Sequence, residues 1–397
     1  MSKVFTVILY VCGLGSIFLS DILITKYFPP DDIALWASVR SLIGIVGVFC
    51  LVGLDQVLVR SPQSSARLLK ILFLQILLLA LIIGIAIWYF GFLDSLLYSI
   101  LIGIGSAGSL TLFQYFRSHH HKLKSQFAQQ AWKILILIGI IGSITGFAEV
   151  GLDQLTIGVL LFVVGVTALF TIKHPPSSLH IQTPERVGAL YAIGIRFMGS
   201  SLLLSLAIYA EQLVVNKMGT SAESAYYFTH ATYFLFPISL ANGYFAFLIG
   251  PWLRDNHDSF GYVLKHKSLL ICASIIAYCV FVNLAGYVGW IIVSPTDGLP
   301  DKTLQFIFFV VCIARSFYTL PSAYLGIYGS PRQHDSLILW HGLGLVCAVG
   351  LFAFLNVFQI TLLIYAIAIA SMLNWIIRTI VGIRISYSIF NSRVSKD

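Results

Sequence analysis

The feature that most limits the fold of this chain is a series of apolar runs, each about 20 residues long. A helix of that length crosses the hydrocarbon core of a bilayer, and the bilayer interior accepts only helices or closed barrels. The runs lack the alternation of barrel strands, and Gly and Pro fall mostly between them. The sequence therefore predicts an all-α polytopic membrane protein. The twelve predicted helices cover Val4–Ile24, Ile33–Val59, Leu68–Phe92, Leu96–Tyr115, Phe127–Phe147, Leu155–Ile172, Val187–Glu211, Ala225–Gly250, Ser268–Val293, Thr303–Tyr328, Ser336–Asn356 and Ile360–Arg384.

Composition supports this class, because 58% of the residues are hydrophobic and only 10% are charged. Soluble domains have about 45–50% and 25%. The first run resembles a signal peptide, but it is too long for a signal core and no small-x-small cleavage site follows it. We therefore interpret it as the first transmembrane helix.

The basic residues in the loops indicate the orientation of the helices. With the N-terminus inside, sixteen Lys and Arg residues fall in inner loops or tails and three in outer loops. This bias places both termini in the cytoplasm. The net charge of +8 is thus a topology signal and not a nucleic-acid footprint. The inner residues are Lys3, Arg60, Arg67, Lys70, Arg117, Lys122, Lys124, Lys173, Arg186, Arg254, Lys265, Lys267, Arg332, Arg384, Arg393 and Lys396, and the outer ones are Lys26, Lys217 and Lys302.

The longest inner loop, residues 173–186, reads KHPPSSLHIQTPER and has the composition of a linker. It divides the chain into a predicted N-terminal six-helix bundle, residues 1–172, and a C-terminal bundle with a short tail, residues 187–397. The two halves also begin alike, with SDILITKYFPPDDIALWASV in one and AEQLVVNKMGTSAESAYYFT in the other. We therefore expect two pseudo-symmetric bundles around a central cavity that carries the substrate path.

The segments TKYFPPDDIALWASVRSL and LVGLDQVLVRSP, at either end of the second predicted helix, resemble the start of the Wzx-type polysaccharide-unit flippases. These belong to the multidrug/oligosaccharidyl-lipid/polysaccharide exporter superfamily, and NKMGTSAESAYYFTHATYF resembles the start of their second half. The resemblance implies a cationic central cavity and alternating access in a bacterial inner membrane. The implied cargo is a polyprenyl-pyrophosphate-linked oligosaccharide, such as an O-antigen or capsule repeat unit. The implied partners are membrane lipids, a proton or sodium counter-ion, and the polysaccharide polymerase and chain-length machinery.

Five basic residues lie inside apolar runs and are the candidate substrate-binding residues. Arg315 is about 18 Å from the nearer membrane surface, too deep for its head to reach the interface. Arg196 has no acid in its own helix within four residues, so cavity lining is the favoured interpretation for both. Arg40, Lys133 and Arg378 lie nearer to helix ends, where they either line the cavity or snorkel. Arginine suits a pyrophosphate or an acidic sugar because its fork binds two oxygens at once.

Three acids are candidates for coupling or gating. Asp55 forms a structural pair, a gate or an ion site near the inner surface. Asp21 and Glu211 occupy matching outer ends of the first and seventh helices, where they either pair with arginines or are solvated. A proton- or sodium-coupled cycle needs at least one such acid.

Tyr226, His230, Tyr233 and Pro237 share one helix face at spacings of four, three and four. Sugars dock on aromatic faces, so His230 and Tyr233 are candidates for a glycan wall, whereas Tyr226 fits an interfacial belt. Pro237 and Pro321 should kink their helices.

Other classes of function find little support in the sequence. The run His119–His121 lacks accompanying Cys or carboxylate ligands, so we expect no metal and no cofactor. No Walker A motif is present, so ATP is not the direct energy source, and we expect a transporter rather than an enzyme. A cation-coupled drug exporter of the same superfamily is one alternative, and it predicts deep acids. A polysaccharide polymerase or glycosyltransferase is another, and it predicts a large outer loop.

Overall fold

The computed structural model describes residues 2–60, 65–147, 151–173, 187–255, 257–293 and 298–394, and in this part of the chain all regular structure is helical. The all-α prediction is therefore confirmed. Eleven helices are long and apolar enough to cross a membrane. The helices are α1 (Ser2–Tyr27), α2 (Pro30–Leu51), α3 (Leu54–Arg60), α4 (Ser65–Tyr89), α5 (Leu96–Ser118), α6 (Lys122–Ile144), α7 (Leu152–Lys173), α8 (Val187–Met218), α9 (Ser221–Phe234), α10 (Phe236–Asp255), α11 (His257–Val293), α12 (Lys302–Tyr328), α13 (Pro331–Val357) and α14 (Leu363–Val394).

Ten of the predicted runs form one helix each, but the second run is divided. It breaks between α2 and α3, where Val52 and Gly53 have φ angles of 49° and 71°. A side chain at Gly53 would place its Cβ 2.0 Å from the carbonyl oxygen of Gly194 in α8. The break thus coincides with a close backbone contact that only glycine permits.

The eighth run is divided as well, at Leu235 between α9 and α10. Pro237 lies in the first turn of α10, where its missing N–H costs nothing, and it disfavours helical geometry in the residue before it. Near Pro237 the helix is thus interrupted at Leu235, whose backbone stays in the right-handed helical region and whose N–H still donates to the carbonyl of Ala231. By contrast, α12 continues through Pro321 as one helix.

Two compact units make up the chain, and the first covers residues 1–217. Its core includes Val46, Leu54 and Leu72, with α1 packed on α6 and α4 on α5. The amide of Asn216, near the end of α8, donates to the carbonyl of Ala34 in α2 at 2.9 Å. Because of such contacts α8 belongs to this unit, although the sequence analysis places it in the C-terminal bundle. The predicted linker lies outside the described residues except for Lys173.

The second unit covers residues 218–397 and is centred on α12 and α14, which pack on each other. The helix α13 packs on α14, and α10 packs on α12. A capping box begins α9, because Thr220 and Glu223 exchange side-chain to backbone hydrogen bonds. Outside both cores, large apolar side chains such as Phe73 and Leu270 are exposed, as expected for surfaces that face lipid.

Candidate functional site

Unit 1 contains a charged cluster, which consists of Asp21, Trp36, Arg40, Gln130 and Lys133. The guanidinium Nη1 of Arg40 lies 2.7 Å from Oδ2 of Asp21, and the indole N–H of Trp36 donates to Oδ1 at 2.9 Å. Asp21 is fully buried, whereas the side chain of Arg40 is 15% exposed. The predicted pairing of Asp21 with an arginine is thus observed, and the solvated alternative is wrong for this residue.

Lys133 belongs to the same cluster and lies at the middle of α6, the twelfth of its 23 residues. Its ammonium group donates to Oε1 of Gln130, one turn earlier in α6, at 2.8 Å. The charge of Arg40 is close enough to repel that of Lys133. The charged cluster therefore combines one carboxylate with two cations.

Unit 2 contains a second group, here called the arginine–tryptophan cluster. It consists of Ser239, Arg315, Tyr318, His341, Trp375 and Arg378. The guanidinium carbon of Arg315 lies 4.6 Å from the ring centre of Trp375, and its Nη1 donates to the hydroxyl of Ser239 at 2.9 Å. The guanidinium carbon of Arg378 lies 5.7 Å from the ring centre of the same tryptophan. Two arginines from α12 and α14 thus share one indole ring.

The two arginines are deeply placed. Arg315 is the fourteenth of 27 residues in α12, and it is only 5% exposed. Arg378 is the sixteenth of 32 residues in α14 and is only 1% exposed. Arg378 is therefore packed inside unit 2, and the choice between cavity lining and snorkelling stays a prediction. The ring of Tyr318 adds a second cation–π contact to Arg378 at 5.5 Å.

The proposed glycan-wall residues are packed in the interior of unit 2. His230 is fully buried with its ring 4.5 Å from that of Trp290, and Tyr233 packs edge-on against the same tryptophan. The Nε2 atom of His230 accepts the backbone N–H of Asp301 at 3.1 Å, so its Nδ1 carries the proton and donates to the carbonyl of Tyr226. Neither candidate is accessible in this structure, and their role in glycan binding stays a prediction.

The start of α12 carries a capping site. Oδ1 of Asp301 accepts the backbone N–H groups of Thr303 and Leu304, and its Oδ2 accepts the hydroxyl of Tyr365. Partial burial raises the pKa of Asp301. The hydrogen bonds from Tyr365 and the two backbone groups lower it by more, so the pKa of this carboxyl group lies below its usual value. This carboxylate ties α14 to the start of α12.

The other predicted site residues are Arg196, Glu211 and Asp55, on α8 and α3. Arg196 has an exposed side chain in α8, and Glu211 is half-buried seven residues before the end of that helix. Asp55 is half-buried in the first turn of α3. Whether Arg196 shares a cavity with Arg315 stays a prediction, since the two belong to different units.

Among the described residues, no group of three or more His, Cys, Asp or Glu side chains is placed to hold a metal ion. The run His119–His121 forms the turn between α5 and α6, with a φ of 60° at His120. Burial and the neighbouring histidines lower the pKa of His119.

Sequence reasoning missed Ser239, Tyr318, His341 and Trp375, which surround the two arginines. Within an apolar run an aromatic residue or a serine carries no signal of its own, since the membrane interior contains many of both. The spacing of Trp375 and Arg378, three residues apart in α14, places them on one helix face and was the available clue.

A chain of this kind, with cations buried among helices that are long and apolar enough to cross a membrane, has the architecture of a polytopic membrane protein. More particularly, its fold is that of the MATE transporters of the MOP superfamily. The sequence itself matches no family model and no curated protein.

The likeness rests on solved structures. One is described as the inward-facing conformation of a multidrug resistance MATE family transporter of the MOP superfamily. It is 15% identical to this chain with a TM-score of 0.63, and the match covers 97% of this chain and 94% of the transporter's chain. An outward-facing transporter so described is 16% identical with a TM-score of 0.55, covering 100% and 96%. MATE in the bent conformation is 16% identical with a TM-score of 0.54, covering 100% and 97%. The predicted superfamily fold is therefore confirmed, with its two pseudo-symmetric halves.

Proposed function

We propose that this protein is a secondary transporter that moves a polyprenyl-pyrophosphate-linked oligosaccharide across the bacterial inner membrane by alternating access. The observation that carries the proposal is the pair Arg315 and Arg378 on one tryptophan ring, deep in α12 and α14. Buried cations in a membrane are costly, and they are typical of substrate or ion pathways. Neither α12 nor α14 contains an acid, so these two helices supply positive charge alone.

The chemistry of the cluster fits an anionic head group. A guanidinium binds two phosphate oxygens through parallel hydrogen bonds, whereas a ring face holds the same group without consuming its charge. Trp375 can therefore hold the two guanidinium groups in the absence of cargo, and a pyrophosphate can replace it as their partner. Because Arg315 is 5% exposed, cargo contact requires α10, α12 and α14 to move apart during the cycle.

The charged cluster of unit 1 supports the same choice of cargo. A cationic drug needs a free carboxylate, but Asp21 is already paired with Arg40. The cluster keeps one cation in excess, on Lys133. Its charge therefore favours an anion.

A cation-coupled drug exporter is the second candidate, and a specific observation favours it. Two of the solved structures of similar fold are described as multidrug resistance transporters. At 15–16% identity this likeness establishes the fold and leaves the cargo open. A polysaccharide polymerase has no comparable support.

Transport by the purified protein in liposomes separates the two candidates. One assay follows a fluorescent polyprenyl-pyrophosphate oligosaccharide to the opposite leaflet, and the other follows a cationic dye under an imposed ion gradient. Arg315→Ala should slow glycolipid movement about ten- to one-hundred-fold, the effect of losing one charge-assisted contact. Arg315→Lys should retain part of the rate because the charge persists without the fork.

Arg332→Ala is the matched control, since this arginine is exposed at the start of α13. It should leave the rate unchanged. Dye export without glycolipid movement would establish the drug exporter instead. Normal glycolipid movement by a well-folded Arg315→Ala protein would remove the arginine–tryptophan cluster from the cargo path.

A further inference from the structure

Asp55 lies at the break in the second membrane run. The helix α2 ends at Leu51, the chain passes through two left-handed residues, and α3 begins at Leu54. Asp55 is therefore in the first turn of a short helix that is pressed against α8 through Gly53 and Gly194. Interrupted helices in a membrane bring polar backbone and side chains together at depth, which is tolerated where they line a site.

The neighbours of the Asp55 carboxylate are amides. The side-chain amide of Gln56 donates to its Oδ2 at 2.9 Å, and the side chain of Gln114, from α5, is a hydrogen-bond neighbour. Among the described residues Asp55 forms no ion pair, in contrast to Asp21. A half-buried carboxylate in this position retains its negative charge unless a mobile cation neutralises it.

Gln114 provides an independent indication of a ligand. Its side chain is only 5% exposed, and among the described residues its Oε1 has no hydrogen-bond partner. Buried amide oxygens without a partner are rare in native proteins and call for an explanation such as a bound ion or a proton donor. The unsatisfied oxygen of Gln114 thus lies beside a carboxylate that has amide neighbours and, among the described residues, no ion pair.

We propose that Asp55 and Gln114 form a binding site for a monovalent cation, which is either a proton or a sodium ion. A sodium ion would be held by the carboxylate and the amide oxygen, both of them hard oxygen ligands. A proton would convert Asp55 to a neutral carboxyl group that donates to Oε1 of Gln114. Either occupant satisfies both groups at once.

The charged groups on the elements around this site are mostly exposed. The elements packed on α3 are α4, α5 and α8. Among their described side chains, Arg67, Lys70, Arg117, Arg196 and Lys217 are exposed and Glu211 is half-buried. The hydroxyl of Tyr191, also on α8, donates to Gln75.

Cation binding here can be tested independently of any cargo, whereas its use as the coupling step of transport rests on the proposed function. The full-length protein in detergent is heated while its unfolding is recorded. Sodium is titrated against choline at constant ionic strength, and in a second series the pH is varied without sodium. A ligand that binds only the folded state raises Tm in a saturable manner.

Saturable stabilisation of the wild type by sodium identifies the ion, and a gain in stability as the pH falls identifies the proton. In either case Asp55→Asn should abolish the response, and Gln114→Met should weaken the apparent affinity about 2- to 12-fold through loss of one neutral contact. Asp94→Asn is the matched control, since this acid is exposed in the same unit, and it should respond like the wild type.

Two results overturn the proposal. One is a response of Asp55→Asn to both titrations equal to that of the wild type. The other is the absence of both responses in the wild type. If Asp55→Asn does not fold, Gln114→Met decides, because an unchanged affinity there excludes the amide as a ligand. Failure of glycolipid transport would leave these binding results untouched.

Discussion

The two units stabilise their buried cations in different ways. In unit 1, Arg40 meets a fully buried carboxylate at 2.7 Å. In unit 2, Arg315 and Arg378 lie over the ring of Trp375, with centroid distances of 4.6 and 5.7 Å. An ion pair cancels the charge that it binds, whereas a ring face stabilises a cation and leaves its charge in place.

This difference indicates a division of roles. The pair in unit 1 behaves as a structural joint between α1 and α2, since each partner needs the other to be buried. The cluster in unit 2 keeps two positive charges in the interior, where they attract an anion. The four predictions that follow test this division.

The largest effect is expected from breaking the joint in unit 1. Asp21→Asn keeps an acceptor for the indole N–H of Trp36 but removes the negative charge that lies 2.7 Å from the guanidinium of Arg40. Removing one partner of a buried pair costs about 3–5 kcal/mol, and the lower value applies here because Arg40 is 15% exposed. Chemical unfolding of the full-length protein in detergent measures the loss.

The double variant Asp21→Asn/Arg40→Gln is the control, because it removes both charges together. It should recover most of the stability. If the double variant is as unstable as the single one, the ion pair is not the joint that we describe.

The second effect compares arginine removal in the two units. Arg378→Met replaces a buried charge, which is costly to keep out of water, by an apolar chain of similar size, and it should be neutral or stabilising. Arg40→Met should instead destabilise, since it strands Asp21. Changes of opposite sign in the free energy of unfolding of the two variants would support the division of roles. Equal losses of stability would mean that both arginines are structural.

The third effect isolates the indole ring. Trp375→Phe weakens the cation–π contact and should cost about 1 kcal/mol in the wild-type background. In an Arg315→Met background that part of the cost should shrink, and the double-mutant cycle gives the coupling energy. Additive losses would show that Trp375 supports the fold without holding Arg315.

The smallest effect concerns the start of α9 in unit 2. Thr220→Ala removes a capping hydroxyl and should cost about 1 kcal/mol. Ser221→Ala, at the next position and exposed, should change stability by less than about 0.5 kcal/mol. Equal losses in thermal unfolding would mean that the capping box does not fix this end of the helix.

The membrane class and the positions of the helices were predictable because about 20 apolar residues in a row have few alternatives in a bilayer. The two breaks were harder to predict. Pro237 supplied a local signal for one, but the break at Val52 and Gly53 depends on a contact with Gly194, more than 100 residues away. Such a contact leaves no trace in the local pattern.

The candidate site was predictable in part. Arg315 was identified from its depth alone, since a charge far from both surfaces requires a special environment. For Arg378 the sequence left cavity lining and snorkelling open, because its distance from the predicted helix end does not decide between them. Gln114 was missed because a neutral amide in an apolar run does not stand out until its unsatisfied oxygen is seen.

Three separate contacts join α8 to α2 and to the break that follows α2. Asn216 reaches Ala34, Tyr209 fills the space beside Gly44, and Gly194 meets Gly53 in the break. These contacts are spread along α8 from Gly194 to Asn216. Spin labels at the exposed positions Asp31 and Lys217 should therefore keep one narrow distance through every state of the protein. The distance between these two labels is then a constant reference with which distance changes elsewhere in the chain can be compared.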